Sequence, residues 1–240
     1  MCYQLRLCRS ADALGAAALS LFGTVWLFAA SGSFHRSEWP DVEHEDFAAK
    51  ARRARARAAS RVEHEPRPLV PLRAPLSARA QLDYAGIFLQ VAFSGAPLYV
   101  LLDPPKRRTG WLVLGGLAAT VAAGALVAFA DVEVGRRTIT LVYLAQGLTQ
   151  LLPLGTRAPF GRRLWDALRA RERRMLVCMA ACYVGGSQLY ASAAPALWPA
   201  TFGFHELWHL LIVVASACTY LVNCSVIRRS PPPRDSAKSN

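Results

Sequence analysis

Residues 207–227 read LWHLLIVVASACTYLVNCSVI, a run of 21 residues that contains no Asp, Glu, Lys or Arg. A helix that crosses the hydrocarbon core of a bilayer, which is about 30 Å thick, needs about 20 predominantly apolar residues. Because lipid offers the backbone no hydrogen-bond partners, such a segment has to satisfy its own N–H and C=O groups, as a helix does. The run therefore predicts a transmembrane helix.

Five further stretches have the same character. They also lack charged residues and have similar lengths: residues 13–34, 84–102, 111–130, 138–156 and 175–194. All 28 Lys and Arg and all 16 Asp and Glu of the 240-residue chain lie outside the six stretches. We therefore predict an all-α polytopic membrane bundle with six transmembrane helices.

The composition excludes two other classes of protein. A net charge of +12 would suit a nucleic-acid-binding domain, but the chain is 53% hydrophobic and only 18% charged. Soluble domains carry about 25% charged residues, and disordered chains are poor in apolar residues. The charge instead describes basic loops between apolar helices. We predict an integral, multi-pass membrane protein without a nucleic-acid partner, in either the plasma membrane or an endomembrane.

The predicted helices divide the chain into four parts. These are the N-terminus with the first helix (1–35), a basic and Pro-rich loop insertion (36–82), the other five helices (83–227) and a basic tail predicted to be disordered (228–240). Arg6 and Arg9 before the first apolar run also fit a secretory signal peptide. That run is longer than the about 7–15 residues of a signal core, which favours a retained helix.

Few polar residues with useful chemistry lie at the ends of the predicted helices. His205 and His209 are four residues apart at the start of the last helix, a spacing that puts both imidazoles on one face, about 6 Å apart. His35 ends the first helix, with Ser31 one turn before it, and Asp83 opens the second helix. Alternation of the six crossings places all of these residues near one membrane face.

Three neutral imidazoles and one open position form the ligand set of a catalytic zinc site. Such a site lowers the pKa of a bound water to about 7. Asp83 would then accept that water's proton or orient the water, and Ser31 would bond the water or a substrate carbonyl. The alternative is a pair of interfacial histidines without metal. Glu206 points about 100° away from His205 on a helix, which favours a surface or capping role over a general base.

Several motifs together resemble those of one membrane protein family. Ser31-x-x-x-His35, LDYAGI from Leu82, FSGAP at 93–97 and FGFHELWHL at 202–210 are similar to motifs of the PAQR/hemolysin III family. That family includes the adiponectin receptors and the progestin-type membrane receptors. The motifs occur in the family's order, and the resemblance spans residues 13–227 except for the insertion. It implies that His35, His205 and His209 bind zinc and that Ser31 and Asp83 contact the zinc-bound water.

The resemblance also sets expectations that this chain meets only in part. It implies seven helices, and for members like the adiponectin receptors a ceramidase-like hydrolysis of a lipid amide. This chain shows six helices, lacks the first, and has an unusually long loop between His35 and Asp83. A cleaved signal peptide becomes less favourable, since cleavage near Ser31 would detach the first helix.

The orientation in the membrane has conflicting indications. Similarity to the adiponectin receptors implies that the zinc end is cytosolic. Residues 103–110 and 157–174, at the opposite end, hold ten Lys and Arg, and the positive-inside rule makes that end cytosolic. Both orientations stay open on the sequence.

Three functions follow from these patterns. The leading prediction is a zinc-dependent amide hydrolase acting on a membrane lipid of the ceramide type. The first alternative is a signalling receptor with structural zinc, which responds to an extracellular or lipid ligand without turnover. The second is a truncated, nonfunctional remnant. A pore has little support, because no helix carries a regular polar stripe, and the oligomeric state is not indicated.

Overall fold

The computed structural model describes residues 2–34, 78–129, 136–192 and 203–230, and these residues form helices joined by turns, without any strand. The eight helices are α1 (Cys2–Arg6), α2 (Ala11–Phe34), α3 (Ala78–Phe93), α4 (Ala96–Leu101), α5 (Arg107–Phe129), α6 (Arg136–Gly155), α7 (Ala170–Ser192) and α8 (Phe204–Arg229). Two 3₁₀ turns, Pro104–Lys106 and Leu164–Ala167, lie in the connections. The predicted all-α bundle is confirmed.

Among the described residues, five segments are long and apolar enough to cross a membrane, namely α2, α3 with α4, α5, α7 and α8. The sixth predicted crossing, α6, has 20 residues but is more polar, because it contains Gln146 and Gln150. Both glutamine side chains are buried, and Gln146 Nε2 donates to Phe88 O (3.2 Å) and Thr120 Oγ1 (3.1 Å). Polar side chains that face neighbouring helices are tolerated inside membrane bundles. The structure is thus a polytopic helical bundle.

The helix that carries Asp83 begins earlier than the charge-free stretch suggested. Its first residue is Ala78, so Asp83 lies in the second turn and does not open the helix. Residues 78–82 read ARAQL, and all of these residue types favour helices. A charge-free stretch indicates which part of a helix lies in lipid. The helix itself can continue beyond that stretch into charged residues. The rest of the predicted insertion and most of the predicted tail, residues 36–77 and 231–240, lie outside the described residues.

The break between α3 and α4 is hydrogen-bonded to two other helices, α2 and α8. Pro97 has no N–H to donate to the preceding turn, and the chain kinks at Ser94. The Ser94 carbonyl accepts hydrogen bonds from Asn223 Nδ2 (2.8 Å) and Ser20 Oγ (3.1 Å), and Asn223 Nδ2 also donates to Ser20 Oγ (2.9 Å). Since Ser20 belongs to α2 and Asn223 to α8, these bonds pack α2 into the core of the bundle.

The two ends of the bundle differ in chemistry. One end, here called the basic end, is formed by residues 102–107 and 156–174 and by the last turn of α8. Phe160, Leu164 and Leu168 are buried there, and the connection before α7 contains the 3₁₀ turn Leu164–Ala167. The other end, here called the site end, holds the end of α2 and the starts of α3 and α8.

Gly110 allows α5 to approach α4 closely, which leads to a first prediction. A Cβ on Gly110 would collide with the carbonyl oxygen of Tyr99 and would lie 2.9 Å from Val100 Cα. Backbone atoms cannot yield as a flexible side chain does, so Gly110→Ala should lower the free energy of unfolding by about 1–3 kcal/mol. Denaturation in mixed detergent micelles measures this loss.

Gly115 supplies the matched control on the same helix. No atom lies within 4 Å of a Cβ built on Gly115, so Gly115→Ala should be neutral or stabilise the helix by up to about 1 kcal/mol. Equal effects of the two substitutions would contradict the close approach of α4 and α5.

Candidate functional site

The structure places four of the five predicted site residues in helices at the site end. Ser31 lies in the last turn of α2 and is 8% exposed. Asp83 is half-buried in the second turn of α3, and His209 is half-buried in the second turn of α8. His205 lies in the first turn of α8, but its side chain is outside the described part of the structure, as is the whole of His35.

Two glycine contacts fix the register between α2 and α3. A Cβ on Gly86 would lie 3.2 Å from Leu27 Cα, and a Cβ on Gly23 would lie 2.9 Å from Leu89 O. The helices are antiparallel, because lower numbers on α2 meet higher numbers on α3. One turn beyond Leu27 is Ser31, and about one turn before Gly86 is Asp83. These two residues are therefore at the same level of the bundle.

The N-terminal part of α8 packs against the same end of α2 through Trp208. Leu27 of α2 is buried in one cluster with Trp208 and Ile212 of α8. A Cβ on Gly186 of α7 would lie 2.5 Å from Trp208 Cε3, so Trp208 fills the space between α7 and α8. His209 follows Trp208 directly, and the structure thus brings His209, Ser31 and Asp83 to one end of the membrane domain.

Three tyrosines gather beside Asp83, and the sequence did not single them out. The hydroxyls of Tyr84 (α3) and Tyr190 (α7) are 3.4 Å apart, and the Tyr190 ring lies 6.0 Å from that of Trp208. Both tyrosines pack against the buried cluster of Phe88 and Tyr143. The Tyr143 hydroxyl, on α6, is buried and has no hydrogen-bond partner in the described part of the chain.

A sequence signal for this cluster existed. Tyr84 is the first residue of its charge-free stretch, Tyr190 lies four residues before the end of its stretch, and Tyr143 is the sixth residue of its stretch. Counting residues inward from the membrane face of the predicted site would have placed the three tyrosines within about two turns of the depth of Asp83. The three hydroxyls add polar, neutral groups to a site that otherwise consists of histidine, serine and aspartate.

Glu206 lies between His205 and His209. Residues 205–209 read HELWH and match the HExxH pattern of zinc proteases, in which the glutamate is the general base. The angle of about 100° between Glu206 and His205 does not exclude the role of general base, since the glutamate follows the first histidine directly in every HExxH motif. The structure gives Glu206 a different contact: its Oε2 accepts the backbone N–H of Gly203 at 2.7 Å. This bond caps the start of α8, and the predicted capping role is confirmed.

The residues of the site suit zinc by their chemistry. Imidazole nitrogen is a preferred zinc ligand, and three histidines leave one coordination position open. The described residues contain no group of three or more His, Cys, Asp and Glu side chains that could hold a metal, and two of the three predicted imidazoles lie outside that set. The assignment of zinc to His35, His205 and His209 therefore stays a prediction.

Comparison with known families gives a direct match. A family model described as haemolysin-III related matches residues 77–220 of the chain. The chain belongs to the haemolysin-III related family. The resemblance seen in the motifs is confirmed over this segment, which contains Asp83, His205 and His209. Ser31 and His35 precede the matched segment. The register of α2 against α3 brings Ser31 to the site, and His35 lies outside the described residues.

Proposed function

We propose that this haemolysin-III related membrane protein is a zinc-dependent hydrolase of a lipid amide. The observation that carries the proposal is the placement of Ser31, Asp83 and His209 at one end of a membrane bundle, where polar side chains are costly and usually functional. Trp26 and Phe28 of the same α2 segment are exposed on the outside of the bundle. A substrate that reaches this depth beside apolar side chains is a lipid.

Zinc would be held by His35, His205 and His209, with His205 and His209 on adjacent turns of α8. Held in this way, it supplies a Lewis acid for the carbonyl and lowers the pKa of a coordinated water towards about 7. The overall reaction adds water across the amide C–N bond and yields a fatty acid and an amine.

The chain's own groups act on the substrate and on the proton. The Asp83 carboxylate accepts the proton that water loses when it attacks the carbonyl, and passes it to the departing amine. Ser31, which is buried, donates a hydrogen bond to the carbonyl oxygen or to the attacking water. The Tyr84 and Tyr190 hydroxyls supply further donors for the polar headgroup of the lipid.

Turnover of a defined substrate tests the proposed function. Protein reconstituted in phosphatidylcholine nanodiscs should release fatty acid from a ceramide, and treatment with a chelator followed by zinc should abolish and then restore the release. A matched lipid ester should react as well, because esters are more reactive acyl donors. A zinc-containing protein that hydrolyses neither lipid would exclude the hydrolase and favour the signalling receptor.

A further inference from the structure

We infer that a groove at the basic end binds the headgroup of an anionic phospholipid from the adjoining leaflet. The groove has a volume of about 430 Å³ and is lined by Trp165, Ala170, Arg173, Arg174 and Val177. Such a volume lies in the range of small-molecule sites. It is at the opposite membrane end from the proposed zinc site, so this inference does not depend on the proposed function.

Charge at the groove is not neutralised by the protein. In the described part of the chain, neither the Arg173 nor the Arg174 guanidinium has a hydrogen-bond or ion-pair partner. Residues 103–110 and 157–174 contain ten Lys and Arg but only three acids. Two of those acids, Asp103 and Glu172, are held in ion pairs with Arg162 and Arg229. The groove thus presents positive charge that a phosphate can match bidentately.

The groove also lies at the depth of lipid headgroups. Arg174 directly precedes the charge-free stretch 175–194, so its guanidinium is at the boundary between water and hydrocarbon. Val177 is one turn deeper, about 4.5 Å along the axis, and is 58% exposed. Trp165 completes the wall, and tryptophan favours this interface. A phospholipid would fit both walls of the groove, with its phosphate on the two arginines and an acyl chain along Val177.

The combination of cationic and apolar walls favours a lipid over a soluble anion. A free phosphate would use the two arginines and leave Val177 and Trp165 without a contact. Basic residues near the surface of a leaflet attract anionic lipids. Two arginines therefore predict a preference for anionic over zwitterionic lipid of at least about tenfold.

Native mass spectrometry of the full chain in detergent micelles tests the inference. With equal amounts of phosphatidylserine and phosphatidylcholine, the wild-type chain should retain phosphatidylserine preferentially. The double variant Arg173→Gln with Arg174→Gln should lose that preference on the order of tenfold. The control Arg108→Gln with Arg157→Gln removes two charges from the same end outside the groove, and should keep the preference within about twofold.

Two further arms separate the remaining outcomes. Excess inorganic phosphate should not displace the bound phosphatidylserine, and Trp165→Ala should weaken its retention several-fold while the arginines remain. Equal losses in the two double variants would show diffuse attraction without a site and overturn the inference. Displacement by phosphate, or a wild-type chain without preference for phosphatidylserine, would overturn it as well. Unchanged unfolding temperatures of the variants establish that they are folded.

Discussion

Asp83→Asn is expected to lower the rate of lipid amide hydrolysis by about 10²–10⁴-fold, the usual contribution of a general base. Asp83 is half-buried at the level of Ser31, where its carboxylate is placed to accept a proton. Asparagine has nearly the same shape but cannot take the proton at neutral pH. Turnover of ceramide in nanodiscs, measured at saturating zinc, gives the result.

Glu206→Gln is the matched control, because it makes the same change of carboxylate to amide at the same membrane end. Glu206 Oε2 accepts the Gly203 N–H, and the amide oxygen of glutamine can accept the same bond. We expect turnover within about threefold of wild type, since the cap is kept and no proton transfer is lost. The reverse pattern, with Glu206→Gln inactive and Asp83→Asn active, would assign the base to the HExxH glutamate and contradict our account.

Glu172→Ala is expected to lower the free energy of unfolding by about 3–5 kcal/mol, because it would leave the charge of Arg229 without its partner. Glu172 is 2% exposed. Its Oε2 accepts from Arg229 Nη2 (2.7 Å) and from the backbone N–H of Arg169 (2.8 Å), and its Oε1 accepts from Ser225 Oγ (2.7 Å). The carboxylate thus ties the start of α7 to the end of α8.

Asp166→Ala is the control for this loss, since Asp166 is an exposed acid in the 3₁₀ turn just before α7. Its effect should stay within about 0.5 kcal/mol. A double-mutant cycle with Arg229→Met, measured by denaturation in mixed micelles, should give a coupling energy above about 1 kcal/mol. A Glu172→Ala variant as stable as Asp166→Ala would show that the buried network does not hold the two helices together.

The distribution of charge was sufficient to predict the helices, because the bilayer imposes both their length and their lack of charge. It was less informative where a helix carries inward-facing polar groups. Gln146 and Gln150 make α6 more polar than the other crossings, and only the packing explains why they are tolerated. Likewise, the first turn of α3 contains Arg79 and so could not be found from the absence of charge.

Contacts between helices that are far apart in the chain could not be predicted from the sequence, for a different reason. Glu172 lies in an Arg-rich stretch of sequence and has the pattern of a solvated charge, yet it is buried in the first turn of α7 because α8 brings Arg229 to it. The depth of Asp83, His205 and His209 was predictable by counting crossings. The level of Ser31 opposite Asp83 depended on glycines that let α2 and α3 touch, and no periodicity in the chain reveals that register.

Zinc content is the most direct test of the central claim, which is that His35, His205 and His209 hold one metal ion. Elemental analysis of the detergent-purified chain should find about one zinc per chain, and His209→Ala should reduce this to a small fraction. A double variant of the two other histidines, His44→Ala with His64→Ala, should keep the metal. Absence of stoichiometric zinc from the wild-type chain, or zinc unchanged in His209→Ala, would contradict the account.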